Sequence, residues 1–346
     1  MAINTHSVSI VVCCYNSARR IGTTLRYLSK IIVPASFKVE VLIVDNASTD
    51  DTAQTALKTW RNCDRNEIEF RVVHEENPGL ANARMRGIRE SQSDYIVFCD
   101  DDNHLDEGYL VGAFAMLDRD STIGILGGYS QPKFSIKGRE WLKDFFTALA
   151  VGDERKQSGF QTWVFGAGIV IRKKVFDLLE KRSIKFQLSD RKGKAVSSGG
   201  DAEICCMARF LGFKVYYSSE ITFHHEIPEN RLERKYYLFP NLLVIDDIVH
   251  LYILENIVEG SLESALKLRS RFLSGALKEL LYFAPRMAFG GRQFYSFCMF
   301  YQRLQSIYWL STKGSTFTLI YDRIQRNLKG ESPGEYVRSN GHLLHM

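Results

Sequence analysis

An apolar run of strand-forming residues, Tyr95 to Cys99, ends abruptly in three consecutive carboxylates, Asp100 to Asp102. In open α/β folds ligands bind at the carboxyl ends of the strands, so these carboxylates mark the place where a ligand is expected. Three neighbouring negative charges repel one another unless a positive group neutralises them. A divalent cation whose shell is completed by a diphosphate does this. On this run alone, a solvated acidic loop is the alternative interpretation.

The segments before this run repeat one pattern. Short, β-branched apolar runs at residues 7–14, 37–45 and 67–74 alternate with helical segments. This alternation predicts βαβ units, a mainly parallel sheet and therefore an α/β fold. Because Asp45 and Asp100 both stand at strand ends, we expect them on the same edge of the sheet.

Length and composition bound the fold and the compartment. The chain has 346 residues, enough for one large domain or two ordinary ones, and its seven cysteines show no Cys-x-x-Cys spacing. Structural zinc is therefore not predicted, and a reducing cytoplasm is the simplest compartment. The N-terminus lacks a basic region followed by an apolar one, and no run of about 18 uncharged apolar residues occurs. Neither a signal peptide nor an ordinary membrane span is predicted.

The C-terminal part of the chain is basic and aromatic. Residues 260–346 contain 12 Lys and Arg against 5 Asp and Glu, a charge of +7, which leaves −2 for the remainder of a chain of net charge +5. The pattern from about 231 to 312 is helical, with aromatic residues among scattered Arg and Lys. This is typical of an amphipathic helix on an anionic membrane surface, with Phe294, Tyr295, Phe297 and Phe300 inserted. A helical cap on the preceding domain, or a dimer interface, is the alternative.

Four motifs carry a resemblance to a known family. In this order and at this spacing they resemble family-2 glycosyltransferases with the GT-A fold, over roughly residues 7–240. The motifs are IVVCCYN at 10–16, VDNASTD at 44–50, NPGLANAR at 77–84 and FCDDD at 98–102. The resemblance implies a GT-A fold, with a mainly parallel Rossmann-like sheet flanked by helices. We expect a catalytic domain over 1–235, a helical C-terminal region over 236–330 and a flexible tail over 331–346.

The resemblance also implies a set of donor-binding residues. Asp45 and Asn46 stand where many members have Asp-Asp, so which side chain reads the base is left open. Arg84 offers a planar donor fork that suits the base or the diphosphate. In the family the first Asp of the Asp-x-Asp site lies near the ribose and the last binds the metal. These roles are carried over to Asp100 and Asp102.

Three further residues complete the expected donor site. Gly79 either permits close backbone approach or simply forms the turn. Asp101 either assists its neighbours or is solvated. Gly166 lies in a Gly-Ala-Gly stretch that resembles the one beside the sugar in the family; a ligand or another backbone then comes close, or a bulge is present.

The acceptor side is represented by the sequence GGDAE at residues 199–203, which opens an apolar-periodic helix. It resembles the family's Glu-Asp motif, with Gly200 where many members have Glu. Asp201 matches the general base, which takes the proton of the acceptor hydroxyl. An N-cap is the alternative role for Asp201. Glu203 is a weaker candidate, for acceptor binding.

Strands are predicted at residues 213–217 and 220–225. His224 and His225 end the second of them, late in the domain, where many GT-A enzymes complete the metal shell with a His. An imidazole can join carboxylates on a Mn²⁺-type ion. Because side chains alternate along a strand, only one of the two can face the site, and the sequence leaves open which.

The resemblance therefore implies an inverting glycosyltransferase with a Mn²⁺ or Mg²⁺ cofactor. Its partners would be a nucleotide-sugar donor and a glycan or lipid-linked acceptor, with no nucleic acid, in the cytoplasm or on the inner face of the plasma membrane. A sugar-1-phosphate nucleotidyltransferase is the first alternative, but Cys13 to Asn16 supply no Gly-rich loop after the first strand. A non-catalytic nucleotide- or glycan-binding module is the second, and the intact carboxylates Asp100, Asp102 and Asp201 speak against it.

Overall fold

A nine-stranded sheet organises the protein. The structure, a computed structural model, describes residues 6–152, 157–188, 199–238, 245–289 and 291–331. The strand order is β3-β2-β1-β4-β8-β6-β9-β5, and β7 pairs with β9 outside this path. The strands are β1 (His6–Cys14), β2 (Phe37–Asn46), β3 (Glu69–Glu75), β4 (Tyr95–Asp100), β5 (Asn103–Leu105), β6 (Ile123–Pro132), β7 (Gly159–Gln161), β8 (Val170–Arg172) and β9 (Lys214–His225).

The long strands pair in parallel and the short ones antiparallel, so the predicted mostly parallel sheet is confirmed. β1 lies between β2 and β4, with Cys14 opposite Asp45 and Cys13 opposite Asp100. Both acidic strand ends therefore stand on one edge, as expected. Antiparallel pairing involves β5, β7 and β8, each only three residues long.

Helices cover both faces of the sheet. One face is packed by α1, α2 and α4 through residues such as Leu25, Trp60 and Phe114. The other is packed by α3, α5 and α6. The helices are α1 (Ile21–Leu28), α2 (Thr52–Arg61), α3 (Leu80–Glu90), α4 (Tyr109–Leu117), α5 (Lys174–Lys181), α6 (Gly200–Phe210), α7 (Arg234–Tyr237), α8 (Ile245–Val258), α9 (Ala265–Phe283), α10 (Gln293–Thr312) and α11 (Gly314–Leu328).

Two segments of the sheet are irregular. Within residues 164–172 only β8 forms a strand, because Gly168 adopts a φ of +66°, which interrupts an extended chain. The strands expected at 213–217 and 220–225 form one continuous strand, β9, whose pairing with β6 shifts register between Gly127 and Tyr129. This shift is the signature of a bulge, which lets one strand bend without ending.

The C-terminal helices pack onto the sheet and its flanking helices. Ile253 of α8 and Phe317 of α11 belong to the same buried cluster as the sheet residues Val11 and Phe98. The side chain of Asn327 bonds both the backbone N–H and the C=O of Lys185. The division at residue 235 stays a prediction, but the helices after it share a core with the residues before it.

The aromatic residues of α10 do not all face outward. Phe294 and Tyr295 pack against Phe145, so their expected insertion into lipid is corrected. Within the described ranges, no helix is both long and apolar enough to cross a membrane. The predicted tail lies outside the described residues from 332 onward, and so does most of the basic loop expected at 181–198, from 189.

Candidate active site

The three consecutive carboxylates separate into two directions at the end of β4. Asp101 is turned towards α1, where its Oδ2 accepts from the Nε and Nη2 of Arg20, at 3.2 and 2.6 Å, and from the Ser17 hydroxyl. Asp102 instead faces β9, with its Oδ1 at 3.4 Å from Nε2 of His225 and 3.2 Å from Nδ2 of Asn103. Asp101 is therefore not solvated, because its bonds to Ser17 and Arg20 hold it on the α1 side of the turn that follows β4.

The three neighbouring carboxylates of the acidic run repel one another and have shifted pKa values. Burial, followed by the charge of Asp102, raises the pKa of Asp100. Burial and Asp102 likewise raise the pKa of Asp101, against the opposing effect of Arg20. Burial also raises the pKa of Asp102. The hydrogen bond and the charge of His225 outweigh burial and hold this pKa below its usual value. A neighbouring positive charge is thus what this edge requires in order to keep all three groups ionised.

The structure distinguishes the two adjacent histidines. His225 is buried beside Asp102, and although burial lowers its pKa, the Asp102 carboxylate raises it overall. His224 points to the opposite face of β9, where its Nε2 lies 3.7 Å from Oδ1 of Asp106. Of the two expected metal ligands, only His225 is brought to the carboxylates. The pairing of β5 with β9, which sets Asn103 opposite His225, produces this arrangement.

The residues at this edge fit a divalent cation only together with a ligand. In the part of the chain that the structure describes, no group of three or more His, Cys, Asp or Glu side chains forms a complete ion site. Asp102 and His225 offer an oxygen and a nitrogen donor, and the Nδ1 atom of His225 is buried with no hydrogen-bond partner among the described residues. A Mg²⁺-type ion usually takes one or two carboxylates and completes its shell with phosphates. The donor set therefore fits a cation that arrives with a diphosphate.

Asp201, Gly166 and Arg84 come together from three distant segments. The Gly166 N–H donates to Oδ2 of Asp201 over 3.1 Å. A Cβ at Gly166 would lie 2.7 Å from Nη2 of Arg84 and 3.2 Å from Cβ of Asp201. Asp201 is half-buried in the first turn of α6, after the N-cap residue Gly199, and its Oδ1 accepts the N–H of Ala202 at 2.9 Å. The absence of a side chain at Gly166 leaves room for both Arg84 and Asp201 close to its Cα.

Arg84 links this group to the acidic run. It is buried on α3, its guanidinium carbon lies 5.6 Å from the centre of the Phe98 ring, and its charge counters the upward shift in the pKa of Asp100. The predicted donor residues Arg84 and Asp100 and the predicted base Asp201 therefore lie at one place.

The nucleotide end of the predicted site has one open carboxylate. Oδ1 of Asp45 is buried and, within the described residues, has no hydrogen-bond partner, while Oδ2 lies 3.6 Å from Nδ1 of His74. Asn46 is engaged differently: its Nδ2 donates to the carbonyls of Glu75 and Asn77, and its Oδ1 accepts from Gly79 N–H at 2.7 Å. Asn46 thus stabilises the turn before α3 through these hydrogen bonds, one of which comes from the backbone N–H of Gly79.

Glu203 does not face an acceptor. Its carboxylate is buried and accepts the backbone N–H groups of Gln187 and Leu188, at 2.8 and 2.9 Å. Nε2 of His250, on α8, lies 3.3 Å away. The residue is two positions after Asp201 on α6, so helical geometry turns it to the opposite side, into the core.

Sequence reasoning missed the residues that support the carboxylates. Ser17 and Arg20 hold Asp101, and Asn103 both donates to Asp102 and accepts the N–H of Asp100 at 3.1 Å. Asn103 directly follows the acidic run in the sequence. Its short polar side chain at that position could have indicated a residue that supports the carboxylates. Arg20 carried no such signal, because its partner lies 81 positions away in the sequence.

Comparisons with known proteins point to one enzyme family. The family described as "Glycosyl transferase family 2" matches residues 9–178, and "Glycosyl transferase family group 2" matches residues 95–325. A poly-beta-1,6-N-acetyl-D-glucosamine synthase of Staphylococcus aureus is 32% identical over 100 residues, which are 29% of this chain and 23% of that protein. The matches to the curated relatives thus span less than a third of those proteins' lengths.

Two solved structures share the fold over nearly the whole chain. TarS 1–349 of S. aureus with UDP-GlcNAc has a TM-score of 0.54 at 15% identity, covering 97% of this chain and 95% of that one. The mannosyltransferase PcManGT of Pyrobaculum calidifontis with GDP-Man and Mn²⁺ has a TM-score of 0.53 at 16% identity, covering 94% and 88%. With the family match over residues 95–325, these findings lead to one conclusion: the chain is a glycosyltransferase of family group 2 with the GT-A fold.

Proposed function

We propose that this chain is an inverting, metal-dependent glycosyltransferase that transfers a sugar from a nucleotide-diphosphate donor to a hydroxyl of a polysaccharide or lipid-linked glycan. One observation carries the proposal: the Asp201 carboxylate lies beside Arg84, whose charge reaches Asp100 at the acidic edge. A candidate base and the candidate diphosphate site thus adjoin. A single displacement between a glycosyl donor and an acceptor requires this juxtaposition.

The donor would lie along the sheet edge. Asp45, with its unpartnered Oδ1, would accept a hydrogen bond from the base, and Asp100 would approach the ribose. Arg84 would contact the diphosphate through its planar donor fork. A cation held by Asp102 and His225 would offset the charge that develops on the leaving diphosphate.

The transfer itself needs no enzyme nucleophile. The acceptor oxygen attacks the anomeric carbon while the bond from that carbon to the diphosphate oxygen breaks. The electron pair leaves with the nucleoside diphosphate, and the acceptor proton passes to Asp201. The Gly166 N–H, on Oδ2 of Asp201, orients the carboxylate for this step. One displacement inverts the configuration of the sugar carbon.

A polysaccharide acceptor is supported by the curated relative, which is named as a poly-N-acetylglucosamine synthase. TarS and PcManGT were solved with a UDP-sugar and a GDP-sugar, respectively, which supports a nucleotide-sugar donor here without identifying the base. The seven free cysteines support a reducing, cytoplasmic location.

An anionic membrane surface is part of the proposal. The α9–α10 hairpin, residues 265–312, carries seven Lys and Arg and one Glu, and therefore a charge of +6. At its tip Leu281 and Phe289 are 73% and 79% exposed, beside the exposed Arg286 and Arg292. Exposed apolar side chains next to cationic side chains suit an anionic bilayer interface, which offers both lipid tails and negative headgroups. A lipid-linked acceptor would then meet a catalytic site held near the bilayer.

The test is a transfer assay with a panel of UDP- and GDP-sugars, with and without Mn²⁺. We expect one donor to be consumed in a metal-dependent way and to give a product of inverted configuration, read by NMR. Asp201→Asn keeps the shape of the side chain but does not accept a proton at neutral pH. It should lower transfer by roughly 10²–10⁴-fold while donor affinity persists. Full transfer by this variant would show that another residue is the base. If the wild-type protein consumes no donor at all, the chain is better explained as a binding module.

A further inference from the structure

We propose that Trp163, with Phe165 beside it, is a stacking platform for a pyranose ring of the acceptor. The inference rests on the proposed function and specifies its acceptor side. It assigns the ligand class as a neutral sugar ring that presents an apolar C–H face, rather than a protein or a phosphate group.

Trp163 is set apart by its exposure. It is 38% exposed, whereas Trp60 and Trp309 are 7% and 8% exposed, and Trp141 packs against Phe145, Tyr237 and Phe294. The Trp163 and Phe165 rings are 5.4 Å apart and cross at 77°, an edge-to-face contact that holds the indole in one orientation. Trp163 therefore presents a large aromatic surface to solvent in a restricted orientation.

The residue between the two rings anchors the segment. Val164 is 4% exposed and belongs to the core beneath the sheet. It fills the space over Gly127, where a Cβ would lie 2.5 Å from the Val164 Cβ. Because neighbouring side chains in an extended segment point to opposite sides, burial of Val164 directs both aromatic rings away from the core.

The platform is close to the candidate base. Gly166 is three positions after Trp163, so their Cα atoms lie at most about 10 Å apart, the reach of a fully extended chain. Gly166 in turn donates to the Asp201 carboxylate. One sugar ring is about half that span, so a sugar on the indole can place a hydroxyl of the same or the next residue at Asp201.

The chemistry of the indole suits this role. A pyranose ring has a face of C–H groups that packs on an aromatic ring, supported by weak C–H contacts, while its hydroxyls stay in water. Trp presents the largest such surface, and its N–H adds one donor. A platform of this kind holds a sugar without restricting the identity of the residue beyond it, as a growing polysaccharide requires.

The test uses a β-linked N-acetylglucosamine oligosaccharide as the probe. Added to the whole protein, it should produce a saturable change in tryptophan emission, which Trp163→Phe should abolish. In transfer assays Trp163→Ala should raise the KM for the oligosaccharide by about tenfold, in line with the worth of one aromatic contact. The donor KM should be unaffected, and Trp163→Phe should restore most of the lost acceptor affinity. The control is Tyr308→Ala, which removes a ring that is 72% exposed on α10.

Three outcomes overturn the platform: an emission change that survives Trp163→Phe, no emission change at all, or an unaltered acceptor KM in Trp163→Ala. Failure of the proposed function looks different. There the wild-type protein transfers no sugar from any donor, and the emission titration alone decides whether Trp163 binds a sugar ring.

Discussion

The backbone N–H of Gly166 donates a hydrogen bond to Oδ2 of Asp201 over 3.1 Å, and so joins the glycine-rich stretch before β8 to the first turn of α6. This bond leaves Asp201 half-buried, with its carboxylate directed towards the place where Arg84 also lies. The two segments share no local pattern in the sequence. Their contact belongs to the catalytic geometry that we propose.

Gly166→Ala should disable the site while leaving the fold intact. The added methyl would stand 2.7 Å from Nη2 of Arg84 and 3.2 Å from Cβ of Asp201, so both side chains must shift. We expect transfer to fall at least tenfold with little change in melting temperature. The matched control is Gly275→Ala on α9, where nothing lies within 4 Å; it should stabilise the helix by about 0.5–1 kcal/mol. Normal turnover by Gly166→Ala would show that this close approach is not needed.

The adjacent histidines form a natural pair of matched variants. His225→Ala removes the side chain beside Asp102, and we expect weaker Mn²⁺-dependent donor binding in calorimetric titrations. His224→Ala removes a side chain on the opposite face of β9, near Asp106, and should bind the donor as wild type does. An equal effect of the two substitutions would contradict the assignment of His225.

Asp102→Ala should abolish the metal dependence of donor binding. Its carboxylate is the oxygen donor that the structure brings next to His225. Thermal shift with a nucleotide sugar, with and without Mn²⁺, reports this, because a ligand that binds only the folded state raises apparent stability. Asp101 is unsuitable as a control, because its removal would leave the Arg20 guanidinium without this carboxylate partner. Asp106→Ala is suitable, and it should retain the full Mn²⁺ response.

Glu203→Ala should affect stability before chemistry. The carboxylate is buried, holds two backbone N–H groups and lies 3.3 Å from His250 on α8. Removing the carboxylate leaves the N–H groups of Gln187 and Leu188 without an acceptor, so we expect a loss of about 2–4 kcal/mol in the free energy of unfolding, read by urea denaturation. Glu259→Ala, at an exposed ion pair with Arg209, should cost less than about 1 kcal/mol. If the Glu203→Ala enzyme is stable but inactive, the structural role is wrong and Glu203 acts in acceptor binding.

Membrane docking is tested at the tip of the α9–α10 hairpin. Vesicles of mixed neutral and anionic lipid should co-sediment with the full chain at low salt, since each Lys or Arg near an anionic surface contributes about 1 kcal/mol. The double variant Leu281→Glu, Phe289→Glu should remain in the supernatant. Leu57→Glu, the same change at an exposed position on α2, should pellet like the wild type. If the wild type does not pellet, the hairpin is a packing element.

The sequence by itself determined the sheet and its acidic edge. Short β-branched runs can be buried only as strands here, and parallel pairing brings the ends of β2 and β4 to one edge, so Asp45 and Asp100 could be placed before any coordinates. Asp201 was placed by its position at a helix start. These features are set by local periodicity and by the direction of the chain, which a sequence displays directly.

Only the tertiary structure decided which side chains of these segments meet. The register of β5 on β9 selected His225 over His224, and contact with α1 drew Asp101 away from its neighbours. The packing of α8 against α6 placed Glu203 in the core with His250. Each outcome depends on the rotation or register of two segments far apart in the chain. A one-residue slip in a strand reverses every side chain, and nothing local specifies it.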